Sequence, residues 1–175
     1  MTKTNPIHVF VDLDGVLADH DKQAQYYGVK TEKDANSDSG IQYDITDYPD
    51  AFFRTMPKMH DFDFLARFIY EQDKDHVHIL TAVPKRRTSA LSVFDEKRDW
   101  VREHLPHIKT RNINIVFREH KQFFAKEHAH AILIDDNMNN INEWRHAGGI
   151  GIHHVAASSS VMQAEAVINS LKGLI

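Results

Sequence analysis

Four short apolar runs stand out along the chain: Ile7 to Val11, Val77 to Leu80, Ile113 to Phe117 and Ala131 to Ile134. They are rich in Val and Ile and continuous rather than alternating, which predicts strands buried on both faces. A fifth, weaker run spans Gly149 to His153. The segments between them carry helical spacing. Residues Phe62 to Glu71 place Leu65, Phe68 and Ile69 on one face, and Asp95 to Leu105 do the same with Trp100, Val101 and Leu105. Lys121 to His128, Asn137 to Ala147 and Ser159 to Leu171 complete the series. Strand and helix alternate, so an α/β fold with a parallel sheet and right-handed crossovers is expected.

One interval is too long for this scheme. More than sixty residues separate Asp14 from the second strand, whereas a crossover connection needs about a dozen. The helix from Phe62 uses part of the excess. The remainder, 18–59, is read as a small cap inserted after the first strand, leaving 1–17 and 60–175 as the core. The cap would hold a loop by composition, Asp34 to Gly40, and six aromatics: Tyr26, Tyr27, Tyr43, Tyr48, Phe52 and Phe53.

Composition narrows the classes. A 175-residue chain that is 42% hydrophobic and 26% charged can bury one core with room for an insertion. The net charge of -4 argues against a general nucleic-acid binder, which needs a basic face, but not against a nucleotide. There is no cysteine, which excludes disulfides and thiolate metal sites and fits a reducing compartment. The polar start, Met1 to Pro6, lacks a secretory pattern, and no apolar stretch reaches membrane-spanning length, so a cytoplasmic protein is expected. Thirteen histidines invite a metal reading at His128 and His130 or at His153 and His154. Neither pair has the i, i+4 ligand spacing, and both are read as solvated or core residues.

The polar residues at the strand ends suggest chemistry. The first strand runs into Asp12-Leu13-Asp14-Gly15, the second into Thr81, and the fourth into Asp135-Asp136. In a parallel sheet these ends share one edge, where ligands of open α/β sheets bind. Two like charges about 4 Å apart repel by roughly 4 kcal/mol at an effective dielectric near 20. A divalent cation would relieve such a cluster, and a few carboxylates completed by water suit Mg²⁺ bound with a substrate phosphate.

The residues from Val9 through Asp12, Asp14 and Gly15 to Asp19 resemble the first motif of the haloacid dehalogenase superfamily. Ile79-Leu80-Thr81 resembles its second motif and Ile132-Leu133-Ile134-Asp135-Asp136 its fourth. Order, spacing and the place of the insertion agree over nearly the whole chain. The resemblance implies a three-layer, Rossmann-like fold and a Mg²⁺-dependent phosphatase. Asp12 would be the nucleophile that forms an aspartyl-phosphate, and Asp14 the general acid and then base. Mg²⁺ would be held by Asp12, the backbone carbonyl of Asp14, and Asp136, with Asp135 as the supporting neighbour. Thr81 would bond a phosphate oxygen. Lys121 would supply the third-motif cation, with Lys126 as its competitor and Lys97 assisting.

Within the superfamily the finer likeness is to 5′(3′)-deoxyribonucleotidases, carried by Asp14 to Asp19, by Glu96 to Val101 and by Arg118-Glu119-His120-Lys121. It departs at His20, Ala82 and Asn137, where those enzymes tend to carry an aromatic residue, a serine and an arginine. The implied substrate is a nucleoside monophosphate; most cap aromatics are read as building a local core, and Phe52, Phe53 and Tyr43 as the ones best placed if any reach it. Another phosphorylated metabolite and a binding or regulatory module on the same fold remain alternatives. Self-association as a homodimer is left open.

Overall fold

The computed structural model describes residues 5–29, 48–83 and 90–173. The chain forms β1 (Ile7–Val11), α1 (His20–Tyr27), α2 (Phe62–Glu71), β2 (Val77–Val83), α3 (Ala90–His104), β3 (Ile113–Phe117), α4 (Lys121–Glu127), β4 (His130–Asp135), α5 (Met138–His146), β5 (Ile150–His153) and α6 (Ala157–Lys172). Single 3-10 turns at Thr110–Asn112 and Arg118–His120 flank β3. The strands form one parallel sheet in the order β3-β2-β1-β4-β5.

Alternation of side chains across the sheet divides the core into two layers. Val9, Val11, Ile79, Ile132 and Ile134 face Leu65, Phe68 and Ile69 of α2, Trp100 and Val101 of α3, and Ala164 and Ile168 of α6. Phe10, Leu80, Ala131 and Leu133 face Ala125 of α4 and Ile141 and Trp144 of α5. The expected α/β architecture is therefore present as three layers. Each layer of helices buries one indole completely. The Nε1–H of Trp100 donates to the Met56 carbonyl at 2.8 Å and that of Trp144 to the Ala131 carbonyl at 3.2 Å, so neither leaves an unpaired donor in the core.

Three elements depart from the sequence expectation. β2 continues past Thr81 to Val83 because Ala82 and Val83 still pair with Val116 and Phe117 of β3. α3 starts at Ala90, earlier than expected. α1 was not anticipated, since its eight residues, His20–Tyr27, are mostly polar. Its ends hold it: Asp19 accepts from the Lys22 N–H at 2.9 Å, and Gly28 closes the helix at φ 66°. Of the region read as a cap, residues 18–29 and 48–59 are described. The Asp34 to Gly40 loop and Tyr43 lie outside the described residues. No described helix is long and apolar enough to cross a membrane.

Candidate active site

β1 is central, with β2 on one side and β4 on the other, so its tip is flanked by two others. The Asp12 N–H donates to the Ile134 carbonyl at 2.9 Å, extending the ladder one residue past β1. This places Asp12 beside Asp135, the last residue of β4, and Asp136, which follows it. Carboxylate oxygens of Asp12, Asp135 and Asp136 all lie within 4.8 Å of one another. After Asp12 the chain turns sharply: Ala18 N–H donates to Leu13 O, and Gly15 N–H to Ala18 O, both at 2.8 Å. Gly15 has φ 76°.

Lys121 is placed by the first turn of α4 and is nearly fully buried. Its Nζ lies 2.9 Å from Asp12 Oδ1 and 2.8 Å from Asp135 Oδ2. Lys126 is exposed and lies over the Phe123 ring instead. Asp135 is saturated by other partners as well. Its Oδ1 accepts from the Asn137 N–H at 2.8 Å, and Asn140 Nδ2 donates to both oxygens at 3.1 and 3.0 Å.

Burial pushes the Asp12 carboxyl well above the usual carboxylate range. The negative charges of Asp135, Asp14 and Asp136 add to this, and Lys121 opposes it. Burial alone would favour neutral Lys121, but Asp12 and Asp135 outweigh it and hold the ammonium charged beyond the ordinary lysine range. Among the described residues Lys121 is the cation paired with both Asp12 and Asp135. The donors are hard carboxylate oxygens, as Mg²⁺ takes. With Asp135 engaged by Lys121, Asn137 and Asn140, it fits a brace beside the cation, and Asp12 and Asp136 fit as its ligands.

Asp14 and Thr81 form a second half of the site. Lys97 of α3 is completely buried and reaches across to Asp14 Oδ2 at 2.5 Å, Thr81 Oγ1 at 3.0 Å and the Ala82 carbonyl at 2.7 Å. These acceptors match the three N–H donors of an ammonium. A phosphate oxygen binding to Lys97 would have to replace one of them. Asp14 Oδ1 is buried and has no hydrogen-bond partner among the described residues.

The residues singled out from the sequence thus gather in two linked groups, Asp12, Asp135, Asp136 and Lys121 in one, and Asp14, Thr81 and Lys97 in the other. Sequence reasoning missed Asn140, which orients Asp135. The run Asn137, Asn139 and Asn140 directly after the acids was the available signal. Of the aromatics placed near the substrate, Phe52 and Phe53 are buried, packing with Tyr48 and His20. Three of the four histidines in the pairs singled out are engaged within the protein. His128 stacks on His8, His154 pairs with Ser160, and His153 bonds the Asp136 carbonyl.

No protein-family profile matches the chain, and no curated protein matches it. Among solved structures it is similar to a HAD family hydrolase from Deinococcus radiodurans R1 with bound phosphate and sodium. That similarity has a TM-score of 0.48 at 14% identity and covers 90% of this chain and 88% of the other.

Proposed function

We propose that the chain is a Mg²⁺-dependent phosphomonoester hydrolase of the haloacid dehalogenase superfamily, acting on a small phosphate ester, with a nucleoside monophosphate as the leading substrate class. The observation that carries this reading is the convergence of Asp12, Asp135 and Asp136 within 4.8 Å of one another, with Lys121 paired to Asp12 and Asp135 and Asp14 held separately by Lys97. Asp12, a buried carboxylate at the tip of the central strand, is the nucleophile that the resemblance implies. Its oxygen bonds to phosphorus while the ester oxygen leaves with a proton from Asp14. Asp14 then takes a proton from the water that attacks the aspartyl-phosphate, releasing phosphate and restoring both acids. Oδ1 of Asp14, which has no hydrogen-bond partner among the described residues, is the atom suited to this exchange.

Mg²⁺ held by Asp12, the Asp14 carbonyl and Asp136 would neutralise charge on the transferring phosphoryl group. Lys121 keeps Asp12 and Asp135 in place and adds positive charge on the same side. Thr81 and Lys97 would bind the phosphate once one of the three acceptors on Lys97 gives way. Residues 18–59 act as a cap that admits a small molecule and keeps stray water from the intermediate. The resemblance to 5′(3′)-deoxyribonucleotidases supports the nucleotide assignment.

The test is a panel of nucleoside monophosphates, sugar phosphates and an aryl phosphate, each assayed with Mg²⁺. Preference for nucleotides is expected, and Asp12→Asn abolishes release while the protein stays folded. Equal rates on sugar phosphates and nucleotides would remove the nucleotide assignment. Wild-type protein that releases phosphate from no ester would favour the binding module.

A further inference from the structure

Glu96 precedes Lys97 on α3, yet its carboxylate turns away from the acids. Oε1 accepts the Ala51 N–H at 3.1 Å and Oε2 accepts the Phe53 N–H at 3.0 Å. One carboxylate thereby clamps two amides of a turn more than forty residues away in sequence, with charge-assisted bonds. The turn has a conformation that needs holding. Ala51 sits at φ 64°, the one non-glycine with positive φ among the described residues. Gln23 secures the next stretch by donating to Phe52 O at 2.9 Å and Thr55 Oγ1 at 2.8 Å, and Trp100 ties Met56.

The clamped turn faces the site through Phe53. This ring is buried and lies 4.9 Å from Lys97 Nζ, within cation–π range. Lys97 in turn holds Asp14 and Thr81. Glu96 and Lys97 are neighbours on one helix, but they meet again through space by way of Phe53. The cap and the acid–base residue are mechanically connected along this route.

We propose that Glu96 is a positioning residue: by fixing the Ala51–Phe53 turn it keeps the Phe53 ring on Lys97, and so keeps Lys97 on Asp14 and Thr81. The inference rests on the assignment of Asp12 and Asp14 to phosphoryl transfer. A carboxylate that served only to fasten the turn would protect two amides and stabilise the fold. One that positions Lys97 changes the state of that ammonium as well.

The experiment compares wild type with Glu96→Ala, Lys97→Met and the double variant, with Glu96→Gln in place of Glu96→Ala if the latter does not fold. The primary readout is the ammonium proton signal of Lys97 by NMR, which a buried, fully hydrogen-bonded ammonium retains against solvent exchange. Loss or marked broadening of this signal in the folded Glu96 variant is expected, and an unchanged signal overturns the proposal. In steady-state assays the Glu96 variant loses roughly tenfold to a hundredfold in kcat, the scale of a misplaced catalytic group, while KM changes little. The loss disappears in the Lys97→Met background. Independent, multiplicative losses in the double variant would overturn the proposal. If wild type releases no phosphate, the phosphatase reading fails by itself, and the Lys97 signal still decides the role of Glu96.

Discussion

The α-carbon of Gly15 lies against the Asp136 carboxylate so closely that a Cβ built on it would overlap both Oδ2 and Cγ. Gly15 is also in the left-handed region, at φ 76°, where a side chain costs about 1 kcal/mol. Both constraints act at the turn that carries Asp14. Gly15→Ala is therefore expected to destabilise the fold by roughly 1–3 kcal/mol and to displace Asp136. Urea unfolding checks the first effect and loss of Mg²⁺ binding the second. A variant with wild-type stability and wild-type Mg²⁺ affinity would show that the turn yields without consequence.

Lys121 is the buried cation between Asp12 and Asp135. Lys121→Met leaves both carboxylates in the core without it, and breaking a buried pair in this way costs roughly 3–5 kcal/mol. The cost depends on pH in a fixed direction. Asp12 already has a raised folded-state pKa, and removing Lys121 raises it further. The folded variant then holds the Asp12 proton up to a higher pH than folded wild type does, so its deficit shrinks as the pH falls from the variant's Asp12 value toward that of wild type. Unfolding of variant and wild type at pH 5 and pH 8 should show the larger gap at pH 8. An equal gap at both would mean that the acids are not ionised around Lys121.

Most of this arrangement could be read from the sequence because it depends on local pattern. Buried parallel strands are continuous apolar runs, and Asp12, Thr81 and Asp135 mark where three of them meet polar chemistry. α2 was expected over the residues it occupies because Leu65, Phe68 and Ile69 share a helical face. What was missed depends on partners distant in the chain or on end effects. The polar α1 is fixed by its caps rather than by an apolar stripe. β2 is lengthened by the β3 residues beside it. Glu96 looks like any exposed helical acid until Ala51 and Phe53 are brought to it. The contacts of Lys97 with Asp14, Thr81 and Ala82 likewise join residues 15 to 83 positions apart, which no local pattern reveals.

At the opposite, amino-terminal edge of the sheet, His8 Nδ1 and His78 Nε2 lie 3.1 Å apart, with His128 stacked on His8 at 3.9 Å. Burial, reinforced by the neighbouring imidazoles, lowers the pKa of His8 and His78 to about 4. Both rings bind a proton less readily in the folded chain than in the unfolded one. Their contribution is therefore complete above pH ~6.5, the unfolded value, and declines as the pH falls toward 4. Both rings are partly solvated, so the effect is discounted to on the order of 1 kcal/mol each. Wild type should accordingly lose about 1 kcal/mol more stability between pH 7 and pH 5 than His78→Phe, whose ring can stack on Phe10 as His78 does. Urea unfolding at the two pH values measures the difference, and parallel losses would remove the histidines from the acid response.

The acid cluster makes opposite demands on Asp136 with and without a cation. Its charge helps push the Asp12 carboxyl upward, so in the absence of metal Asp136→Asn removes repulsion and should raise Tm. With Mg²⁺ the same substitution removes a ligand. A ligand at ten times its Kd stabilises by roughly 1.4 kcal/mol, or about 3–5 °C in Tm for a chain of this size. Wild type should show that upward shift on adding Mg²⁺ and lose it with a chelator. Asp136→Asn should start higher and shift little. The crossing of the two melting series distinguishes a ligand from a structural acid, which would lower Tm on substitution in both conditions. An equal Mg²⁺ shift in the two proteins would take Asp136 out of the cation site, whatever became of the activity.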